Sequence, residues 1–163
     1  MPLVTFFAVF AAGLAFGSLV EYVAHRLMHR GVLLARAHRK HHRSGQAKGV
    51  LWEFLHYAAG TAVLMPWGFA FGAAAGWGWL TAGCAYALFS AFGHQLQHDD
   101  PGACFWMRRA PVHHLHHRLG QAERNFGLAL DWWDRVFGTF DPSGWDGAPP
   151  VFSARRLLGV RWL

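Results

Sequence analysis

Two stretches of this 163-residue chain contain no charged side chain, and they restrict its fold more tightly than anything else in it. One is Leu3 to Val20; the other is the 45 residues from Phe54 to His98, although the flanking segments are crowded with Arg and Lys. A hydrocarbon layer about 30 Å thick is crossed by a helix of about 20 mostly apolar residues. The first stretch therefore fits one crossing and the second fits two. The turn between them is expected near Gly72 to Gly78, where Gly-Ala-Ala-Ala-Gly-Trp-Gly combines weak helix formers with an interface-seeking Trp. A buried core in a soluble helical protein is the competing reading. Leu3 to Val20 lacks a basic segment before it and a small-residue cleavage site after it, so it is read as a permanent helix. The expected fold class is all-α: an integral membrane helical bundle of about three to four transmembrane helices with a cytosolic helical cap, forming a single membrane-embedded domain over residues 1–163.

Crossing parity orders the polar segments. With a first span over residues 1–23, a polar stretch over 24–50, two spans over 51–93, a second polar stretch over 94–140 and a tail over 141–163, both polar stretches emerge on one membrane face. All 15 Lys and Arg fall on that face, seven between Arg26 and Lys48 and eight from Arg108 onward. Positive-inside bias makes it cytoplasmic, and the inner membrane is the expected location. The excess of 15 basic over 9 acidic residues is explained by lipid headgroups, as Arg155-Arg156 near Trp162 suggests, so no nucleic-acid partner is expected. Val151 to Leu163 reads either as an interfacial amphipathic helix or as a frayed tail.

Twelve histidines lie in the chain, eleven of them in four short runs. The runs are His25-x-x-x-His29, His38-x-x-His41-His42, His94-x-x-x-His98 and His113-His114-x-His116-His117. Positions i, i+3 and i+4 share one helix face, so each run aims its imidazoles in one direction. Parity brings all four runs to the same membrane face. Concentrated neutral imidazole suits Zn, Cu, Fe or Ni, and ten or eleven donors exceed what one ion takes. Two ions sharing about ten imidazoles is the simplest allocation. Carboxylate-bridged bundles use Glu-x-x-His instead, and that motif is absent here. Neither Cys84 nor Cys104 has a CxxC partner, and no Ser-His-Asp or Cys-His arrangement stands out.

The order HxxxH, HxxHH, HxxxH, HxxHH, followed by Asn125-Phe126-Gly127 and Trp133-Asp134-Arg135-Val136-Phe137-Gly138-Thr139, resembles the fatty acid hydroxylase and sterol desaturase superfamily of membrane enzymes. The likeness runs from about Val20 to Phe140. Carotenoid hydroxylases of the same superfamily are an alternative, but they use a longer first spacing and lack both tail motifs. A hydrolytic or non-catalytic zinc-binding membrane protein is the alternative from another class. The resemblance implies oxidation of an unactivated C–H bond of a fatty acyl, sterol or isoprenoid lipid with O2 as co-substrate. It further implies two iron ions, replaceable by zinc in a purified sample, and a separate electron-transfer protein of ferredoxin or cytochrome b type. Carried over position by position, the implied metal ligands are His25, His29, His38, His41, His42, His94, His98, His113, His116 and His117. His114 is the odd member of its run, and His56 stands alone at the start of the second span. Ligating imidazoles usually pass their other N–H to a carboxylate or carbonyl; Glu21, Asn125, Asp134 and His114 are the candidates for that supporting shell. Asp99 and Asp100 either join it or end a helix as a turn, and Trp132, Trp133, Phe137 and Phe140 are expected to pack the cap onto the site.

Overall fold

The computed structural model describes residues 1–163 and contains helices and no strands. Its frame is three long elements. Helix α1 spans Pro2–His29, α3 spans Val50–Thr61 and continues as a 3₁₀ segment over Ala62–Phe71, and α4 spans Ala73–Asp99. Between α1 and α3 lies α2 (Ala35–Ser44); α5 (Val112–Arg118), α6 (Trp132–Val136) and α7 (Ala154–Leu158) follow α4. By length and composition one helix, α1, qualifies as a membrane span, with a mean hydropathy of 2.2 over its best window and little of that window buried.

Small residues set how closely α1 and α4 approach. A Cβ at Gly13 would stand 2.6 Å from Ala82, one at Gly78 would stand 2.5 Å from the Phe6 carbonyl, and Gly17 lies against the Tyr86 ring. These pairs advance together along both helices, so α1 and α4 run parallel. The middle element runs back alongside α4: Trp79 Nε1–H donates to the Leu64 carbonyl at 2.8 Å, and Gly83 faces Met65. Up, down and up again, the three elements bring the C-terminal ends of α1 and α4, with His25, His29, His94 and His98, to one end of the bundle.

The chain reverses at Gly72 alone (φ 100°), not across Gly72 to Gly78, because Ala73 onward is already α4 and Gly76 and Gly78 are used for close packing against Phe69 and Phe6. The middle element is not one continuous α-helix. Pro66 lacks an N–H and its ring crowds the preceding turn, and the backbone tightens to 3₁₀ geometry around it. Helix α1 also continues unbroken past residue 23 to His29, so the first histidine run is a direct extension of the apolar helix. The tail is not frayed: Arg156 grips Asp100, and Arg161 N–H donates to Asp99 Oδ2 at 2.9 Å. Val50 and Leu51 N–H donate to the Arg161 and Trp162 carbonyls at 3.0 Å each, which supplies partners for α3's otherwise orphaned first amides. Val160 is buried in a core cluster with Val50, Ala91, Leu96, Met107 and Val112.

Candidate metal centre

Helix α2 shows why the second run folds as it does. Eight of its ten residues are Ala35, Arg36, Ala37, His38, Arg39, Lys40, His41 and His42, a pattern that puts the three imidazoles inward and leaves Arg36, Arg39, Lys40 and Arg43 exposed and without ion-pair partners. It opens on Leu34 in the left-handed region (φ 44°) and closes on Gly45 (φ 64°), so both ends turn sharply toward α1 and α4. Helix α5 is held in place by Gln97 of α4, whose Oε1 accepts the His113 N–H at 2.9 Å and the His114 N–H at 3.4 Å.

Nine of the ten sequence-derived imidazoles gather in two sets. His25, His29, His38, His42 and His116 form one; His41, His94, His98 and His113 form the other; within each set the candidate ligand atoms all lie within 4.8 Å of one another. The tenth, His117, stacks on His42 with ring centroids 3.9 Å apart and lies 4.5 to 4.7 Å from His41, His98 and His113. It therefore borders both sets.

Tautomers decide whether this arrangement fits a metal. A carbonyl accepts only, so an imidazole nitrogen within bonding distance of one must carry the proton. On that basis His25 Nδ1–H donates to the Phe126 carbonyl (2.6 Å), His116 to Arg124 (2.8 Å), His41 to Gln46 (3.0 Å) and His98 to Gly45 (3.1 Å). Each of these rings is left with an unprotonated Nε2, and each Nε2 points inward. The Nε2 atoms of His116 and His29 are 2.8 Å apart, those of His116 and His42 3.2 Å, those of His29 and His38 2.8 Å, and those of His41 and His94 3.1 Å. One neutral imidazole has one N–H, so these contacts cannot all be hydrogen bonds. Buried nitrogens without partners complete the picture: His25 Nε2, His98 Nε2 and both nitrogens of His113 and of His117. Lone pairs converging at such distances are what a cation about 2.0–2.1 Å from each imidazole nitrogen resolves, and the donor set fits a metal.

Proton affinity agrees. Burial, aided by neighbouring imidazoles, pushes His38 down to about 3 and His42 to about 4; burial likewise pushes His116 to about 3 and lowers His113 and His117. Rings that stay neutral at neutral pH keep their lone pairs available.

The supporting shell differs from expectation. Glu21, Asn125 and Asp134 do not touch these imidazoles; backbone carbonyls do, and the three side chains hold the segment that carries them. Asp134 is fully buried, and its Oδ1 accepts Phe126 N–H (2.8 Å) and Thr139 Oγ1–H (2.7 Å) while Oδ2 accepts Gly127 N–H (2.8 Å). Burial pushes its carboxyl above the usual value, and these bonds pull the other way. Glu21 Oε1 accepts Leu128 and Ala129 N–H at 2.8 and 3.2 Å; its Oε2 accepts Tyr86 and Ser90 hydroxyls at 2.9 and 2.5 Å. Asn125, at φ 57°, spans Gln121 and Asp141. His114 turns its ring toward Trp145, and His56 Nδ1 bonds the Trp52 carbonyl, so neither joins a set. Asp99 and Asp100 end α4 and hold the tail, not the imidazoles. Of the aromatic group, Trp133 donates to Ser18 of α1 at 2.9 Å and Phe137 stacks on Tyr22, which packs the cap onto α1.

Three residues escaped the sequence reading. Gln97 fixes α5, Gln95 Oε1 accepts Gly49 N–H at 2.7 Å ahead of α3, and Glu53 lies 3.6 Å from His94 Nδ1. The signal for the first two was present: Gln95 and Gln97 are amides within a long apolar stretch, and buried amides demand partners.

Below the histidines, a cavity of about 670 Å³ runs between α1, α3 and α4. Its upper end is lined by His25, His38, His94 and His113, its lower end by Phe16, Leu64, Met65 and Trp79. Comparison with known proteins is consistent with this site: the model of the fatty acid hydroxylase family matches residues 10–139. No curated protein and no solved structure matches the chain.

Proposed function

The chain belongs to the fatty acid hydroxylase family, and on that premise we propose that it is an oxygen-dependent membrane lipid hydroxylase or desaturase working with two iron ions. The observation that carries the proposal is the convergence of unprotonated, buried imidazole nitrogens into two adjacent sets beneath which an apolar cavity opens. His25, His29, His38, His42 and His116 would hold one ion; His41, His94, His98 and His113, with His117 alongside, would hold the other. Bound there, iron supplies the dioxygen chemistry that breaks an unactivated C–H bond.

The protein's own part is positional. The carbonyls of Arg124 and Phe126 fix the His116 and His25 rings; Asp134 and Glu21 clamp the amides of residues 126–129 around the Phe126 carbonyl, and Asn125 N–H, the other end of the Arg124 peptide, donates to the Thr139 carbonyl at 2.9 Å. Apolar walls formed by Phe16, Val20, Leu64 and Met65 keep water from a lipid carbon held under the histidines. Exposed Leu3, Val4, Phe7, Val63, Trp67, Phe71 and Trp77 on the shafts of the three long elements support three crossings, with the Arg- and Lys-rich histidine end in the cytoplasm. Arg36, Arg39, Lys40 and Arg43, directly behind His38 and His42, support docking of an acidic ferredoxin or cytochrome b-type donor.

Protein purified aerobically from iron-replete cells tests the proposal. The expected result is about two iron ions per chain, with a lipid that gains one oxygen or loses two hydrogens only when O2 and a reduced carrier are present. Zinc alone, with no oxygen uptake on any lipid, sinks it.

A further inference from the structure

Gly60 is the one glycine of nineteen that neither the backbone nor the packing of this chain explains. Every other glycine either has a positive φ or has an atom within 4 Å of where its Cβ would be. Gly60 has neither: its φ is ordinary, it lies inside α3 next to the last residue, and a Cβ there meets open space. Glycine weakens a helix, so its presence without a local reason points to something that needs the room.

The room is the cavity, which Gly60 lines. Four segments supply most of its lining: Gly13 to Met28 on α1, Trp79 to His94 on α4, Glu53 to Met65 on the middle element and, at the histidine end, Leu33 to Lys48 in and around α2. The first two each cover fifteen helical steps, about 22 Å. A cavity of about 670 Å³ drawn out over that length is long and narrow rather than round. Helices α1 and α3 each pack on α4 and make no comparable contact with each other, so the long side of the groove opens between them. Gly60 lies seven steps, about 10 Å, along α3 from Glu53, and Glu53 is level with His94.

We propose that Gly60 is a specificity-determining residue: its missing side chain is the passage through which one acyl chain of a membrane lipid runs from the histidine end of the groove to its far end at Leu64, Met65 and Trp79. The proposal rests on the reading that this groove takes a lipid. A methyl group at position 60 narrows the passage, and a larger side chain divides the groove, leaving only the segment next to the histidines.

The test uses purified full-length protein and a graded series of linear saturated fatty acids from octanoic to stearic, with binding read as the rise in unfolding temperature against acid concentration. Gly60→Phe is expected to bind octanoate as the wild type does and to lose about tenfold or more in apparent stearate affinity; Gly60→Ala loses less. Ala59→Phe, on the exposed neighbouring position outside the groove, should follow the wild type throughout. Because both Ala and Phe suit a helix better than Gly, the unliganded unfolding temperatures should not fall. Stearate binding to Gly60→Phe at wild-type affinity overturns the proposal, and so does a wild type that none of the acids stabilises. Repeating the series after metal chelation separates the two readings. A wild type that binds stearate yet holds no iron and forms no oxidised lipid sinks the hydroxylase reading and leaves the role of Gly60 standing.

Discussion

Replacing Asp134 by Asn should cost about 3 kcal/mol of folding stability and empty one metal set before the other. The carboxylate accepts three hydrogen bonds, two of them from the backbone amides of Phe126 and Gly127, one on each oxygen. An amide group can present only one oxygen. Whichever way the substituted side chain is turned, its NH2 faces a backbone N–H that cannot reverse, so one buried N–H loses its charged acceptor and is left unpaired, a loss at the upper end of about 1–3 kcal/mol. The second effect is directional. Phe126 carries the carbonyl that fixes His25, and Arg124 the one that fixes His116, and both rings belong to the same set. Loss of such a supporting contact commonly weakens metal binding by about 10–100-fold. Titrating the variant with a chelator should therefore release one metal at a chelator concentration at least about tenfold below the wild type's, while the other, which His41, His94, His98 and His113 would hold, leaves as before. Denaturant unfolding of the metal-free variant gives the stability change. If both metals leave together as in the wild type and stability changes by less than about 0.5 kcal/mol, the clamp has no role in positioning His25 and His116.

Glu21→Gln should be mild by contrast, within about 1 kcal/mol of wild type by denaturant unfolding, because the hydroxyls of Tyr86 and Ser90 on its Oε2 can turn round and accept, whereas Glu21→Ala strands two amides and two hydroxyls and should cost about 3 kcal/mol or more; equal effects would refute the reversal argument. Chelated protein should lose stability as pH falls from about 6.5 toward 4, since the unfolded chain takes up protons that His38, His42 and His116 refuse until about 3 to 4, and stability is full above that window; an unfolding temperature that stays flat between about pH 7 and 5 contradicts this. His116→Ala, which removes an Nε2 lying between those of His29 and His42, should lower metal content and abolish oxidised lipid; retention of both removes the site assignment.

Much of this protein is legible in its residues one by one. Uncharged stretches long enough to cross a bilayer and histidines at i, i+3 and i+4 are local facts, and crossing parity alone brings the ends of α1 and α4 to one side. Pro66 and the glycines of 72–78 were legible in principle, but a glycine used for a turn and one used for a close helix approach look alike until the neighbouring helix is in place. Asp134 and Glu21 could be picked out as buried-acid candidates, yet their partners are amides of a segment about a hundred positions from Glu21, which no local pattern encodes.

The sequence by itself determined that about ten imidazoles would face one another beyond an apolar bundle. Tertiary structure alone decided how they divide. The second and fourth runs each give members to both sets: His38 and His42, four positions apart, share one line of α2, while His41 is turned away from them toward His94. Likewise α5 sends His116 to one set and His113 to the other. A helical spacing fixes the angle between side chains on one helix; which cluster each meets depends on how that helix is rotated against its neighbours, and here Gln97, the ends of α2 and the clamped carbonyls of residues 124 and 126 set that rotation.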